Sequence, residues 1–325
     1  MRLITIEDFR DIYLKIMQRG LAFIFSKFSL NENKRTKSSF NNINIQSSNW
    51  WIIPEVRKRW NKMITGNPNI TYEEYISKNI FNSSKSIKML SLGSGACSHE
   101  LILAELNPHW EILCVDFSNK RIEEAKKNAQ DKNLQNIHFI AENVYTCDLP
   151  DEYYDLVFFH HSLHHFKDMK SFIPDNVASK LIKDGKLIIH EFVGPNRLQY
   201  HKRQLKAINQ CIDLIDPEYR IMFKTSLKKN KYYGSGLFRM ILSDPSECVD
   251  SENILPEIHK HFKVVVENPL GGSLLMHVLK DISHHFVETD ADKIENLHRL
   301  FKFEDDYLLK NTSDFMFGIY EKINN

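Results

Sequence analysis

Two sets of residues in this 325-residue chain have types and spacings that could do chemistry. The first is the run from Met89 to Glu100, Met-Leu-Ser-Leu-Gly-Ser-Gly-Ala-Cys-Ser-His-Glu, in which an apolar segment breaks into Gly93-Ser94-Gly95 and then opens a helix. Glycine lacks a Cβ, so the chain can turn tightly and let a ligand lie against backbone amides at the helix N-terminus. Asp116 ends the next apolar run, roughly 20 residues on, the spacing at which a doubly wound fold offers a carboxylate to ribose hydroxyls. A nucleoside-containing cofactor is the chemistry these residues suit. The second set is His160, His161, His164 and His165, followed by Glu191. Histidine is the natural proton acceptor near neutral pH, and a carboxylate beside it can orient it or touch a substrate.

The elements that must position these groups are legible in outline. Strands are expected at Met89 to Leu92, Trp110 to Phe117, Ile137 to Ala141, Tyr154 to Phe159 and Leu187 to Ile189, with a helix from Asn119 to Asn133. Apolar strands alternating with helical patterns imply a parallel sheet, and the candidate residues fall at strand ends on one rim, where such sheets bind ligands.

Taken in order, Gly93 and Gly95, then Asp116-Phe117, Asn143-Val144, Asp155-Leu156-Val157 with Leu163-His164-His165, and Asp184 to Ile189 resemble the class I S-adenosylmethionine-dependent methyltransferases. The similarity is to the small-molecule branch with a Leu-His-His segment after the fourth strand. Ser313 to Lys322 looks like that family's last strand. The resemblance implies an α/β fold with a doubly wound, Rossmann-like seven-stranded sheet and an antiparallel last strand. It also implies a helical cap and linker over residues 1–84, a cofactor-binding core over 85–192, a helical cap or lid insert over 193–260, and a return to the core over 261–325. Cofactor contacts are expected from Gly93, Ser94, Gly95, Glu100, Asp116, Phe117, Asn143, Val144 and His160. His161 or His164 is expected as base, with Glu191 as orienter or substrate contact; in related enzymes such histidines also merely pack, and proximity alone can suffice.

The chain departs from the family at two places. Ser91 stands where an acidic residue is usual, and Cys97 stands where a third glycine is common. Glu100 is a candidate replacement for the acid, although a first-turn Glu is also what a helix dipole favours without any ligand.

Composition narrows the classes. With 42% hydrophobic and 26% charged residues the chain can bury a sizeable core, and a net charge of +1 lacks the basic excess of a nucleic-acid footprint. Five cysteines without a C-x-x-C pair read as reduced thiols, and no His-Glu-x-x-His or structural-zinc spacing occurs, so no metal is expected. Leu14 to Leu30 is amphipathic but too short and charged for a membrane span, and Ser29 to Ser48 reads as a linker. A cytoplasmic location follows from this reading, and a homodimer is compatible with it.

Substrate contacts are sought among Trp51, Arg57 and Trp60, which precede the glycine loop, and among Tyr232, Tyr233 and Arg239. The competing reading anchors the tryptophans in the core. In the insert, helices are expected at Gln199 to Ile215 and Ser246 to His261, and the glycines of Tyr232 to Arg239 would suit a closing loop. A strand is expected at Phe262 to Glu267, then Gly271-Gly272 opening a helix from Leu274 to Phe286. The function expected is methyl transfer from S-adenosylmethionine to a small-molecule acceptor, such as a natural-product, glycan or metabolite intermediate, with oxygen preferred over nitrogen. The alternatives are a non-catalytic S-adenosylmethionine-binding regulatory or partner subunit and a nicotinamide-dependent oxidoreductase. The latter is disfavoured because its fingerprint wants glycine where Ser98 stands.

Overall fold

The computed structural model describes residues 1–19, 48–81 and 86–323. A seven-stranded sheet has the order β3-β2-β1-β4-β5-β7-β6, with β1 at Lys88–Leu92, β2 at Glu111–Val115, β3 at Ile137–Ile140, β4 at Tyr154–His160, β5 at Leu181–Phe192, β6 at Phe262–Gly271 and β7 at Phe315–Lys322. Strands β1 to β5 pair in parallel. β7 runs the other way: the Lys322 ammonium at its end bonds the carbonyl of Leu181 at the start of β5, and Ile323 N–H bonds the carbonyl of His261, just before β6. The Tyr154–Phe159 run is almost wholly buried, as expected of a parallel strand covered on both faces.

The chain forms two compact units. One comprises residues 61–193, 248–268 and 316–325, and the other residues 1–60, 194–247 and 269–315.

In the first unit, α3 (Tyr72–Asn79) starts with a capping box in which Thr71 and Glu74 satisfy each other's backbone N–H groups; it follows α2 (Pro54–Thr65) and α1 (Ile6–Arg19) in chain order. Helix α4 (Ser98–Leu106) follows the glycine loop, and α5 (Asn119–Asp131) is capped by the Ser118 hydroxyl. Strand β4 leads through a 3₁₀ turn at Leu163–His165 to α6 (Met169–Phe172) and a π-helical turn at Ile173–Ala178. Leu90, Val157, Leu187, Ile189, Phe159, Phe172 and Ile258 belong to its fully buried core.

In the second unit, Trp50, Trp51, Trp60 and Phe315 form one aromatic cluster with ring centroids 4.3–5.7 Å apart. A Cβ on Gly272 would collide with Phe315, and one on Gly271 with the Glu304 carboxylate. Both glycines hold positive φ, so the pair makes the tight connection that its sequence suggests. Glu304, fully buried, accepts from Leu274 N–H at 2.9 Å and Leu275 N–H at 3.1 Å and pairs with Arg59.

Several element bounds differ from those expected. The helix anticipated from Leu274 to Phe286 is α10 at Leu275–Leu279 plus a separate 3₁₀ turn at Ser283–Phe286, numbered after α7 (Lys202–Asp213), α8 (Leu237–Ser243) and α9 (Ile254–His261). The break is physical: Asp281 has a φ of 67°, and the buried Lys229 ammonium takes the His277 and Lys280 carbonyls. The insert helices are likewise shorter than the expected Gln199 to Ile215 and Ser246 to His261, a separate 3₁₀ turn at Ser251–Asn253 preceding α9. Strand β6 extends beyond Glu267 to Gly271. The amphipathic helix begins at Ile6 rather than Leu14, because Glu7 and Asp8 suit a first turn. The part of Leu14 to Leu30 from residue 20 on, and the linker Ser29 to Ser48 except its last residue, lie outside the described residues. Ser48 is buried, and its carbonyl accepts from Asp281 N–H. No helix among the described residues is long and apolar enough to cross a membrane.

Burial raises the Asp314 carboxyl to about 7, against the contrary pull of a 2.8 Å bond from the Gln204 amide. Between about pH 4 and 7 the unfolded chain gives up a proton that the folded chain keeps, so this group's contribution to stability falls as pH rises. Asp314→Asn should therefore match the parent in melting temperature near pH 4 and exceed it by several degrees at pH 8, for a gain on the order of 2 kcal/mol. A gap that shrinks with rising pH contradicts this account.

Candidate active site

The glycine loop is held in the geometry that its residues suit. Gly93 has a φ of 70° and Gly95 of 58°. Gly93 packs where an added Cβ would lie 3.0 Å from Ser162 Cβ, whereas the space over Gly95 is open. The N–H groups of Gly93 and Ser94 donate to the Val115 carbonyl, tying the loop to the end of β2. Asp116, buried at that same end, accepts from Gly95 N–H at 2.9 Å and Ser118 N–H at 2.8 Å.

The two departures from the family pattern have local explanations. Cys97, where glycine is common, has φ 55° and ψ 33°, a left-handed conformation that costs a non-glycine residue roughly 1 kcal/mol. At Ser91 the hydroxyl donates at 2.6 Å to Glu100, which is buried on α4. The helix facing the strand thus places a carboxylate beside the Ser91 hydroxyl. Burial raises the Glu100 carboxyl above its ordinary range, with the Ser91 bond working against the shift.

The histidines converge with residues that spacing alone did not point to. Tyr72 Oη lies 2.9 Å from His160 Nδ1, and its ring stacks on His160 and His190 at centroid distances of 5.6 and 5.0 Å. His99 Nδ1 pairs with Glu73 at 2.6 Å, and its ring centroid is 3.6 Å from that of His160. His190, opposite His160 in register on β5, places Nδ1 3.1 Å from His161 Nε2. Burial pushes the imidazoles of His160 and His161 well below 6.5 and that of His190 to about 3. Neutral rings are therefore the resting state of these three imidazoles at neutral pH. Burial also raises the Tyr72 phenol. The His190-Glu191 pair on an otherwise apolar strand, and the Thr71-x-x-Glu74 capping signature placing Tyr72, were the available sequence signals for this convergence.

Glu191 is 0% exposed. One carboxylate oxygen accepts from Ser162 N–H and Leu163 N–H, both at 2.7 Å. The other accepts from Phe192 N–H at 2.7 Å and bonds His164 Nδ1. Of its two expected roles the geometry suits orienting His164. With Nδ1 engaged by the carboxylate, a neutral imidazole there would carry its acceptor lone pair on Nε2.

The remaining candidates are dispersed. Asn143 is exposed and turns its side chain to Tyr145 N–H at 3.1 Å, beside the buried Val144; Phe117 is partly buried. The six substrate candidates all lie in the second unit. Trp60 is buried in the aromatic cluster, and Tyr232 is stacked on His277 at 4.3 Å. Arg239 pairs with Asp8 at 2.9 Å and Asp11 at 3.1 Å. Trp51 and Tyr233 are partly exposed and Arg57 is exposed. The glycines expected to serve a closing loop make close contacts instead: a Cβ on Gly236 would collide with Asp8, and Gly234 abuts Arg2.

A seven-stranded sheet with β7 reversed, a glycine turn after β1 and a carboxylate ending β2 together define a methyltransferase-type α/β domain. Residues 83–235 match the family described as a methyltransferase domain, a match that supports a class I S-adenosylmethionine-dependent methyltransferase family. It is similar to the uncharacterized methyltransferase YcgJ of Bacillus subtilis, 26% identical over 108 residues, which are 33% of this chain and 42% of the relative. It is also similar to the release factor glutamine methyltransferase of Francisella tularensis, 33% identical over 78 residues, 24% of this chain and 27% of the relative. The chain thus spans less than half the length of either curated relative. Among solved structures, geranyl diphosphate C-methyltransferase from Streptomyces coelicolor aligns over 81% of this chain and 80% of its own, at 7% identity and a TM-score of 0.49. S-adenosylmethionine is the cofactor of the family. The open space over Gly95, the positive-φ loop and the Asp116 carboxylate fit it.

Glu191→Gln tests the buried hub. An amide must turn its NH₂ toward N–H donors on one side, so the variant should lose on the order of 2–4 kcal/mol and melt several degrees lower at pH 7. Burial alone would raise this carboxyl, but His164 and the converging donors hold it below the ordinary range. Its contribution is therefore full above about pH 4.5 and lost as pH falls through the depressed value, so the gap between parent and variant should narrow in acid. Equal melting temperatures at pH 7 would contradict the assignment.

Proposed function

We propose that this protein transfers a methyl group from S-adenosylmethionine to a small-molecule acceptor, with an oxygen nucleophile preferred over nitrogen. The observation that carries the reading is one rim of one sheet presenting the glycine loop after β1, Asp116 after β2, and the His164–Glu191 pair after β4 and in β5. The bound cofactor supplies an electrophilic methyl carbon. The chain must hold the donor, align the acceptor, exclude water and accept a proton. In this reading Gly93, Ser94 and Gly95 lie along the donor, Asp116 accepts bonds from ribose hydroxyls, and Asn143 and Val144 border the adenine.

His164 is the preferred base over His161, because Glu191 fixes its tautomer and orientation in the manner of a base held by a third group. Of the six substrate candidates, Trp51, Arg57 and Tyr233 retain exposed surface, whereas Trp60, Tyr232 and Arg239 serve packing and ion pairing.

Calorimetric titration with S-adenosylmethionine and S-adenosylhomocysteine, with NAD and NADP as controls, tests the donor directly. Micromolar binding of the first pair alone is expected, and nicotinamide binding instead would move the protein to the oxidoreductase class. Asp116→Ala should weaken S-adenosylhomocysteine binding by about 1.5–3 kcal/mol, through loss of charge-assisted bonds and of the Gly95 tether. Unchanged affinity would place the ribose elsewhere. With an acceptor in hand, His164→Ala should lower turnover by ~10²-fold, and full activity would leave proximity as the mechanism.

A further inference from the structure

We propose that His160, His161 and His190 form a binding site for a divalent transition-metal ion of the zinc class. Each offers one ring nitrogen, and the three atoms lie within 4.8 Å of one another. The facing nitrogens of His161 and His190 are 3.1 Å apart. Two ligands at the usual Zn–N length of 2.0–2.1 Å and a tetrahedral angle stand about 3.3 Å apart. The spacing of that pair therefore needs only a small expansion to admit an ion.

The backbone brings the three rings together by two separate devices. His160 and His190 are register partners on adjacent strands, so their side chains rise side by side. His161 continues past the strand end with a φ of 48°, while its N–H is held by the His190 carbonyl at 2.9 Å. The left-handed region is strained for a residue with a Cβ, and strain of this kind marks positions where a side chain has to be aimed. Tyr72 supports the trio from outside: its hydroxyl bonds His160 at 2.9 Å, the sort of partner that fixes a ligating imidazole's orientation.

The donor set selects the ion. Three imidazoles suit zinc, cobalt, nickel or copper rather than magnesium or calcium, which demand oxygen. Metal entry requires lone pairs on His161 Nε2 and His190 Nδ1, so each ring carries its proton on the other nitrogen. Three protein ligands leave the fourth position for water or an exogenous oxygen. His160 and His161 are only partly buried, which leaves that position reachable.

The use of the ion, unlike its binding, rests on the methyltransferase reading. An acceptor hydroxyl in the fourth position would lose its proton to solvent more readily. Its oxygen pair would then form the new C–O bond as the C–S bond breaks toward sulfur, leaving a thioether. The acceptor class this favours carries a hydroxyl able to ligate a metal.

Protein dialysed against a chelator is titrated with Co²⁺, whose visible ligand-field bands report nitrogen ligation, and then with Zn²⁺ in competition. One Co²⁺ per chain, displaced by Zn²⁺, is expected. The bands should vanish in His161→Ala and His190→Ala, persist in the exposed-site variant His138→Ala, and require ~10-fold more Co²⁺ in Tyr72→Phe. Absence of stoichiometric Co²⁺ binding by the parent protein overturns the site, as do full bands in the His161→Ala/His190→Ala double variant. The parent titration needs no substitution, so a misfolded variant cannot mask failure. S-adenosylhomocysteine binding is measured on the same sample: Co²⁺ uptake without it supports the metal site and removes the methyltransferase use of it.

Discussion

The constraint on which the rim at the carboxyl ends of β1, β4 and β5 depends is the burial of one carboxylate. Glu191 has no exposed surface and would be intolerable there as an unpaired charge. Three backbone N–H groups and one imidazole converge on it, so the residues after β4 cannot adopt an arbitrary turn: Ser162, Leu163 and His164 must each present a donor to the same point. The Ser162 hydroxyl then reaches the Leu92 carbonyl at 2.9 Å, which couples this turn to the end of β1, immediately before the glycine loop. One ion thereby fixes the relation between the segment expected to hold the donor and the segment carrying the candidate base.

The departures at Ser91 and Cys97 illustrate how a site can change its residues and keep its architecture. A serine on the strand and a glutamate on the facing helix put a carboxylate and a hydroxyl in the space where a strand acid would stand. Cys97 accepts the left-handed geometry that a glycine would take without penalty, and places its thiol 3.3 Å from the Ser94 hydroxyl. The cost of that conformation is small against the total stability of a domain, so an alternative residue is tolerated once neighbouring contacts hold the loop.

How far the sequence could be read follows from the range of the interactions involved. The parallel strands were legible because their apolar runs and glycine or acidic ends are local signals, and Gly271-Gly272 announced a tight connection for the same reason. The break after Leu279 was not, because it is imposed by Lys229, a residue some fifty positions earlier whose ammonium takes carbonyls that a continuing helix would have used. The glycines around Tyr232 looked like hinge material, whereas their role is to let Asp8 and Arg2 approach the backbone, a contact across more than two hundred residues. Arg239 was a candidate substrate contact, whereas it pairs with two aspartates of α1.

The histidine cluster carries the same lesson into chemistry. The density of His160, His161, His164 and His165 in the sequence suggests one functional group, but the structure separates them by environment. His164 turns to a carboxylate that holds its ring through Nδ1. His160 and His161 turn to another imidazole from β5 and to a phenol. An imidazole held by a carboxylate stabilises the proton it receives, whereas imidazoles that face one another gain most from a shared cation. The 3₁₀ turn at Leu163–His165, held by Glu191, is what separates His164 from the two histidines that face His190.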